Sequence, residues 1–322
     1  MRPHAALVIG AGNVGALFDT PQTQKVLSHA HAYATHPQFE LAGFVDIDQG
    51  KAAHAASVWG CAHFSSIRDA FNQRKIDVVS IAVPDDMHAS VLRELKSFAC
   101  MGIVVEKPIA RSVEEGRLLS ELYQAPAPLV AVNYVRRYIP QFQELRRRIA
   151  SGELGPYLAG SGHYGKGIVH NGSHMIDLVR YLVDEVTDVD ALSAENDAYL
   201  DDPSVEGVLR LRNGKSFHLV PVSCRAFTIF ELDLIFERGR IRVADSGFRI
   251  EEQSVEESHI FSGYRNLSAA TSADTGMGRG MFFLVDNLHH ALLGRSEIAC
   301  TMKDALRDLE ICATLASFCG PV

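Results

Sequence analysis

Short apolar runs alternate with amphipathic stretches through the first third of the chain. The apolar runs are continuous and rich in β-branched residues, which is typical of strands covered on both faces of a parallel sheet. The stretches between the runs repeat apolar residues at helical spacing. This alternation predicts a doubly wound α/β domain over residues 1–125. The predicted strands are Ala5–Ile9, Glu40–Asp46, Asp77–Val83, Gly102–Glu106 and Leu129–Tyr134, and the predicted helices are Gln49–Val58, Ser66–Asn72, Asp86–Ala99 and Val113–Tyr123.

The pattern changes after Ala125–Pro128, a proline-rich segment that predicts a domain boundary. Between Val205 and Phe261, short strands separated by Asn-Gly and Gly turns predict a mostly antiparallel sheet. We therefore expect a second domain, residues 126–322, of the α+β class, whose C-terminal helix can pack back on the first domain. Further helices are predicted near residues 140–150, 173–182, 281–293 and 303–317, and a loop rich in Ser, Thr, Ala and Gly over Asn266–Gly280.

Composition limits the classes of function. The chain has 322 residues and a net charge of −8, which argues against a general nucleic-acid-binding protein because such a protein needs a basic surface. Its six cysteines are scattered and no two form a C-x-x-C pair, so neither a disulfide framework nor a metal finger is expected. No apolar run is long enough to span a bilayer, and the first residues lack the pattern of a secretory signal. We expect a cytoplasmic protein with no membrane or nucleic-acid partner.

Candidate chemistry begins at the end of the first predicted strand, where residues 10–15 read G-A-G-N-V-G. Between a strand and a helix, G-x-G-x-x-G is a dinucleotide-binding fingerprint. Gly10 permits the tight turn, Gly12 lets the backbone approach a pyrophosphate, and Gly15 lets strand and helix pack closely. Backbone N–H groups of this turn, including Asn13 and Val14, then hold the phosphate charge. The alternative is a glycine-rich turn without a ligand.

The end of the second predicted strand bears on the choice of cofactor. An acidic residue such as Asp46 accepts hydrogen bonds from the ribose hydroxyls of adenosine and repels a 2′-phosphate. Ile47 follows and adds no positive charge, so this pair favours NAD over NADP. The spacing from Gly15 to Asp46 is longer than usual, and Phe18–Ser28 is interpreted as an insertion in which Pro21 breaks the first helix. The insertion either shapes the mouth of the cofactor site or is a plain surface loop.

Two further strand ends join the candidate site, because ligands bind at the carboxyl ends of the strands in open α/β sheets. Val83 and Pro84 leave the third strand, with His88 close behind, and Glu106 and Lys107 end the fourth. We expect these residues to contact the cofactor. A lysine beside a nicotinamide can also bind a substrate oxygen or exchange a proton. The alternatives are a helix cap after Pro84 and a surface lysine.

Taken together, these motifs make the chain resemble the Gfo/Idh/MocA family of glucose–fructose oxidoreductases and inositol dehydrogenases. The resemblance implies an N-terminal Rossmann domain, a C-terminal domain with a large open sheet, and NAD(P)-dependent redox chemistry on sugars, cyclitols or nucleotide-linked sugars. It also implies a homodimer or homotetramer built through the open sheet face. It rests on GAGNVG at 10–15, Asp46, VPDDMH at 83–88, EKP at 106–108, VNYVRRYIP at 132–140, SGELG at 151–155 and HNGSHMIDL at 170–178.

The resemblance places the catalytic roles on Lys107 and His174. The family usually has an aspartate four residues before this histidine, where the present chain has His170. We expect His170 to take part in catalysis, and we expect no metal, since no acidic or cysteine partner completes a site with the two histidines. The candidate substrate contacts are Lys107, Tyr164, Lys166, His170, Asn171 and His174, and Arg137, which follows a strand end, is a candidate cofactor contact.

These residues lead to one main hypothesis and two alternatives. The main hypothesis is a dehydrogenase in which hydride passes between NAD and a secondary alcohol of a sugar or polyol, while His174 takes the hydroxyl proton and Lys107 bonds the same oxygen. One alternative is a redox-neutral enzyme that holds NAD tightly and cleaves glycosides. The other is a regulator that senses a nucleotide without turning it over.

Overall fold

The β-branched runs of the N-terminal region form parallel strands, as the sequence predicts. Two of these runs, Val78–Ile81 and Gly102–Val105, are buried at every residue. Because neither face of these strands meets solvent, their sequences show no alternation of polar and apolar residues. The strands are β1 (His4–Ile9), β2 (Phe39–Val45), β3 (Ala62–Phe64), β4 (Val78–Ile81), β5 (Gly102–Val105) and β6 (Leu129–Val132). The computed structural model describes residues 2–124 and 128–317, and within them these strands form one sheet in the order β3-β2-β1-β4-β5-β6.

The strand order reverses between β1 and β4, and such a switch point is where doubly wound folds bind ligands. Helices connect the strands, and most begin at a residue whose side chain caps the first turn, such as Ser28, Asp48 and Ser112. The predicted helix over residues 86–99 is shorter in the structure: it begins at His88, because a separate 3₁₀ turn follows Pro84, and it ends at Leu95. The helices are α1 (His29–Thr35), α2 (Gln49–Trp59), α3 (Ile67–Gln73), α4 (His88–Leu95) and α5 (Val113–Leu122).

The chain divides into two compact units. Unit 1 runs to Tyr138 and includes Gly278–Leu306, whereas unit 2 comprises Ile139–Met277 and the residues from Arg307 onward. Residues 125–127 of the predicted boundary segment lie outside the described residues. The division of the chain into domains 1–125 and 126–322 stays a prediction.

Unit 2 contains a mostly antiparallel sheet, as predicted. One pair in it, Tyr157–Tyr164 with Ser216–Pro221, is parallel. Its strands are β7 (Tyr157–Tyr164), β8 (Val186–Glu195), β9 (Ser204–Leu211), β10 (Ser216–Pro221), β11 (Phe230–Phe236), β12 (Gly239–Ala244), β13 (Arg249–Glu257), β14 (Arg265–Leu267) and β15 (Thr271–Asp274). The order in the described part of the unit is β14-β13-β12-β11-β7-β10-β9-β8, and β15 also pairs with β13.

The prediction of a loop over Asn266–Gly280 is wrong in part. The end of β14, all of β15 and a 3₁₀ turn over Met277–Arg279 fall inside it. Every residue of β14 and β15 is exposed, so these edge strands carry no buried apolar alternation that would predict them. Strand β7 was not predicted, because Gly160 and Gly162 interrupt its pattern of apolar residues. Packing requires the glycine at 162, since a Cβ there would lie 2.5 Å from the sulfur of Met175.

The remaining helices match the predicted positions to within a residue. They are α6 (Pro140–Ala150) and α7 (Ser173–Leu182) in unit 2, α8 (Gly280–Leu292) in unit 1, and α9 (Met302–Ser317), whose residues are divided between the units after Leu306. The helices of the described chain include none that is long and apolar enough to cross a membrane.

Candidate functional site

The glycine turn after β1 contains two glycines that the packing of the chain itself requires. Gly10 has φ +98°, and a Cβ on it would lie 2.4 Å from the carbonyl oxygen of Ala82. A Cβ on Gly15 would lie 2.0 Å from the carbonyl oxygen of Gly10. Both contacts are too short for any side chain, so the tight turn and the close return of the chain need glycine at both positions.

Gly12 differs from both of its neighbours in the motif. Its φ is −79°, which any residue adopts, and a Cβ built on it meets no atom of the described residues within 4 Å other than those of its two chain neighbours. The fold therefore gives no reason for glycine at this position. A bare backbone that faces open space at the carboxyl edge of a parallel sheet fits the close approach of a ligand such as a pyrophosphate.

The segment after the turn confirms that Phe18–Ser28 interrupts the first helix. Only Asn13–Leu17 is helical, as a single π-helical turn, and regular helix resumes at His29. Asp19, 5% exposed, anchors the segment: its carboxylate accepts hydrogen bonds from the backbone N–H of Leu27 at 2.5 Å and from the hydroxyl of Ser28. The insertion is thus a fixed part of unit 1.

Asp46 lies directly after β2 and contacts the glycine turn. Its carboxylate accepts hydrogen bonds from the backbone N–H of Ala11 at 2.8 Å and of Asp48 at 2.9 Å. An ionised carboxylate has about four acceptor positions, so these two bonds leave capacity for the hydroxyls of a ribose. Ile47 is 96% exposed beside it.

His88 connects the ends of β4 and β5. Its ring nitrogens lie 2.6 Å from the carbonyl oxygen of Pro108 and 3.0 Å from that of Val83, and the residue is 1% exposed. The side chain thus holds the loop that starts at Val83 and Pro84 against the loop that carries Lys107. The expected contact of His88 with a cofactor stays a prediction.

Glu106 and Lys107 follow β5, and the peptide between Lys107 and Pro108 is cis. Glu106 Oε1 accepts hydrogen bonds from Nε2 of His29 at 2.9 Å and from Nδ2 of Asn133 at 2.6 Å. Burial by itself would raise the pKa of Glu106, but these bonds, together with the nearby His29 and Lys107, hold it below the ordinary value. The carboxylate that precedes Lys107 is therefore kept ionised, and Lys107 itself is half-buried.

Arg137 is buried in unit 1 and forms an ion pair. Its Nη1 lies 3.1 Å from Oδ1 of Asp304, and Arg137 is 6% exposed. Burial would raise the pKa of Asp304, but the charge of Arg137 and hydrogen bonds from Thr301 lower it. The expected contact of Arg137 with a cofactor stays a prediction.

The predicted histidines lie together in unit 2, on consecutive turns of the chain. His170 is on a π-helical turn, Ile168–Gly172, and His174 is in the first turn of α7. Both are partly exposed. His170 Nδ1 lies 2.7 Å from Oδ2 of Asp202, and its ring stacks on that of Tyr199.

The other predicted substrate contacts of unit 2 divide into buried and exposed residues. Tyr164 is 0% exposed, and its hydroxyl bonds both the carbonyl oxygen and the N–H of Val205. This corrects the sequence prediction, since no atom of Tyr164 is accessible to a substrate. Lys166 is exposed with φ 66°, and Asn171 is partly exposed and donates from Nδ2 to the carbonyl oxygen of Gly165 at 2.9 Å. Both stay predictions.

Sequence reasoning missed four residues that the structure brings to the predicted ones. His29 and Asn133 bind Glu106, and Tyr199 and Asp202 bind His170. Asn133 lies within the motif VNYVRRYIP, which by itself assigns it no role, and no motif marks His29, Tyr199 or Asp202. Each of the four contacts its partner across at least 27 residues of sequence. Within residues 2–124 and 128–317, no three His, Cys, Asp or Glu side chains are grouped so as to hold a metal ion.

Part of the chain is similar in sequence to known oxidoreductases. The GFO_IDH_MocA model, an oxidoreductase family with an NAD-binding Rossmann fold, matches residues 5–134. The chain is 32% identical over 153 residues to an inositol 2-dehydrogenase of Corynebacterium glutamicum, a match that covers 47% of this chain and 42% of that protein. It is 31% identical over 140 residues to a UDP-N-acetylglucosamine 3-dehydrogenase of Acidithiobacillus ferrooxidans, covering 44% and 40%. The chain thus spans less than half the length of either relative.

Solved structures extend the likeness in fold to nearly the whole chain. A levoglucosan dehydrogenase in complex with NADH and L-sorbose superposes with a TM-score of 0.80, covering 98% of this chain and 96% of that one at 18% identity. At this identity the superposition shows a shared fold.

Proposed function

We propose, because the chain belongs to the Gfo/Idh/MocA family of oxidoreductases, that it is an NAD(P)-dependent dehydrogenase acting on a CH–OH group of a sugar, a cyclitol or a nucleotide-linked sugar. The related sequences include an inositol and a UDP-N-acetylglucosamine dehydrogenase, and the structure in complex with NADH and L-sorbose is that of a levoglucosan dehydrogenase. A polyol is the substrate class that these three names have in common.

One observation in the chain itself supports this function most strongly. Gly12 is a glycine that neither its φ angle nor its neighbours require, and it stands between two glycines that the turn does require. A buried oxygen of Asn133 and the Nδ1 of His29, both beside Glu106, also have no hydrogen-bond partner in the described chain. These features favour a ligand that approaches the backbone at the glycine turn and adds polar groups near Glu106.

The residues of the chain then have distinct tasks. A bound nicotinamide cofactor supplies the acceptor for a hydride. The backbone at Gly12 would lie against the pyrophosphate, and the carboxylate of Asp46 would accept hydrogen bonds from the ribose hydroxyls. Lys107 donates a hydrogen bond to the reacting oxygen of the substrate, and His174 accepts the hydroxyl proton. Glu106, held ionised by His29 and Asn133, keeps a negative charge beside Lys107 and so favours its charged, donating form.

The cofactor that we propose is NAD rather than NADP. Asp46 puts a negative charge at the end of β2, next to the glycine turn, and the adjoining Ile47 offers no positive charge. A 2′-phosphate on the ribose would be repelled there and would gain no ion pair.

We also propose a homodimer or homotetramer that forms through the outer face of the nine-stranded sheet in unit 2. This face carries a half-exposed ladder of cross-strand ion pairs, in which Arg242 contacts Glu231 at 2.7 Å and Glu251 at 3.4 Å. Light scattering on the purified protein tests this expectation, and a monomer at assay concentration contradicts it.

The function is tested by incubating the protein with NAD⁺ and a panel of polyols, sugars and nucleotide sugars, while the absorbance of reduced nicotinamide is followed. We expect turnover with at least one polyol, and a loss of at least about 100-fold in Lys107→Ala and in His174→Ala, with NADH binding retained. Lys51→Ala and His63→Ala, at exposed positions, are matched controls that keep full activity. Full activity in both site variants contradicts the assignment.

Two results would favour the alternatives. Cofactor that copurifies, with substrate converted but no net NADH formed, indicates a redox-neutral enzyme. Binding of NADH with no turnover across the whole panel indicates a nucleotide sensor.

A further inference from the structure

Asp202 is a buried carboxylate around which the predicted histidine segment of unit 2 is built. It is 4% exposed, and it accepts hydrogen bonds at 2.9 Å from the backbone N–H of Val169 and from that of His170. Gly167 has φ +80°, and a Cβ on it would lie 2.0 Å from Oδ2 of Asp202. The segment therefore needs glycine at residue 167 so that the carboxylate of Asp202 can reach the next turn of the backbone.

The same carboxylate fixes the ring of His170. Nδ1 of His170 lies 2.7 Å from Oδ2 of Asp202, the oxygen that also accepts the backbone N–H of His170. An ionised carboxylate can only accept hydrogen bonds, so Nδ1 is assigned as the donor that carries the proton. In the neutral ring the lone pair is then on Nε2, so Nε2 is a hydrogen-bond acceptor.

The ring of Tyr199 stacks on the face of the His170 imidazole. The two ring centroids lie 4.0 Å apart with an interplanar angle of 16°, which is a stacked pair. Tyr199 remains 41% exposed, and the side chain of His170 remains 33% exposed. The imidazole is thus fixed by Asp202 and by Tyr199 while part of it faces solvent.

The loop between β8 and β9, residues 196–203, supplies both of these partners and is itself anchored. Asp197 accepts hydrogen bonds from the backbone N–H of Cys224 at 2.9 Å and of Lys166 at 3.2 Å, and from the hydroxyl of Ser204 at 3.1 Å. Burial would raise the pKa of Asp197, but these bonds lower it to about 2. The ring of His170 is therefore oriented by a loop that is fixed near both of its ends.

We propose that Asp202 is a positioning residue for a substrate contact made by His170: it holds the imidazole as the Nδ1–H tautomer, so that Nε2 accepts a hydrogen bond from a hydroxyl of the polyol. This inference rests on the proposed function for the identity of the ligand, but the tautomer that it requires is a property of the free protein. The loop 196–203, with Asp202 and Tyr199, is then a specificity element for hydroxyl position.

The tautomer is tested first, because its measurement needs neither cofactor nor substrate. Two-bond ¹H–¹⁵N correlation spectra of the labelled full chain report the protonation of each imidazole nitrogen, and the His170 signals are those that disappear in His170→Asn. We expect a protonated Nδ1 and an unprotonated Nε2 when the ring is neutral. An Nε2–H tautomer, or an exchanging mixture of the two, overturns the proposal even where the dehydrogenase activity is established.

Kinetics test the coupling of the two residues. His170→Asn keeps a donor toward Asp202 and removes the acceptor at Nε2, so we expect kcat/KM to fall by a factor of about 10–100 through KM, with thermal stability unchanged. Asp202→Asn is expected to lower kcat/KM similarly, and the double variant to cost no more than His170→Asn alone. Losses that multiply in the double variant, or an unchanged KM in His170→Asn, overturn the proposal.

The outcomes keep the two proposals apart. If no polyol is turned over, the proposed function fails and the spectra still decide whether Asp202 sets the tautomer. If Asp202→Asn does not fold, the wild-type spectra and the kinetics of His170→Asn decide the matter.

Discussion

His29 donates a hydrogen bond from Nε2 to Oε1 of Glu106 at 2.9 Å, although the two residues are 77 positions apart in the sequence. The side chain of His29 is wholly buried, and that of Glu106 is 16% exposed. The bond joins the first residue of α1, which follows the inserted segment, to the residue before Lys107. The residue that directly follows the insertion thus contacts the strand end that carries the proposed catalytic lysine.

Replacing His29 with alanine is expected to destabilise unit 1. The change removes a hydrogen bond to an ionised and largely buried carboxylate, so the free energy of unfolding should fall by about 1.5–3 kcal/mol. Urea unfolding measures this change. His29→Gln retains an N–H donor and is the matched control, with a smaller expected loss. Equal stability of wild type and His29→Ala would show that the bond contributes nothing.

Two histidines of unit 1, His36 and His289, are expected to make the stability of the protein depend on pH. Burial lowers the pKa of His36 from its ordinary 6.5, with Asp286 opposing the shift in part. Burial, together with the neighbouring His36, His290 and His4, lowers the pKa of His289 from 6.5. In both residues the folded state favours the neutral ring. Their contribution to stability is therefore present above pH 6.5 and is lost as the pH falls through the folded-state pKa.

We therefore expect the free energy of unfolding to decrease as the pH falls from about 7 to about 5. His289→Gln should flatten this dependence, because it removes one of the two groups. His63→Gln, at an exposed position of β3, should leave the slope unchanged. The measurement is urea unfolding at several pH values, and an identical slope in wild type and His289→Gln contradicts the interpretation.

Breaking the buried ion pair between Arg180 and Asp308 in unit 2 should lower the free energy of unfolding far more than breaking an exposed ion pair. Arg180 Nη1 contacts Oδ1 of Asp308 at 2.6 Å, and the side chain of Asp308 is 0% exposed. Arg180→Ala leaves that charge buried and is expected to cost about 3–5 kcal/mol in the free energy of unfolding. Arg210→Ala breaks an exposed pair with Asp190, also at 2.6 Å, and should cost less than about 1 kcal/mol. Similar losses in the two variants would refute this difference.

Cofactor preference should depend on residues 46 and 47. In Asp46→Ser combined with Ile47→Arg, the negative charge is removed and a cation able to pair with a 2′-phosphate is added. We expect the ratio of NADPH to NADH affinity to rise at least about tenfold, which corresponds to about 1.4 kcal/mol. Fluorescence titration with both nucleotides measures the ratio. Ile47→Gln, at the same exposed position, is the control, and an unchanged ratio in the double variant contradicts the proposed role of Asp46.

The sequence predicts the parts of the fold that depend on local pattern. Fully buried strands such as Val78–Ile81 are continuous apolar runs, and Gly10 and Gly15 stand where the turn requires them, so the Rossmann sheet and its glycine loop are both foreseeable. The exposed strands Arg265–Leu267 and Thr271–Asp274 have no such pattern, because they pair with β13 through the backbone and bury no apolar side chain.

The candidate site is predictable only in its motif residues. Lys107 and His174 stand in recognisable segments, but their surroundings come from contacts between distant residues, such as that of Asp202 with His170 over 32 residues. Tyr164 shows the opposite error. Its position suggests a ligand contact, yet the hydroxyl is taken up by the backbone of Val205 inside the core.

The glycine turn permits the most direct test of the account. Gly12→Val adds a side chain where a Cβ meets no atom within 4 Å, so the fold should be kept, whereas Gly10→Val meets the backbone of Ala82 at 2.4 Å and should not fold. Titration calorimetry with NADH is the measurement. The account predicts one saturable site in the wild type and an affinity at least about tenfold weaker in a folded Gly12→Val. No binding of NADH or NADPH to the wild type, or equal binding to Gly12→Val, would contradict it.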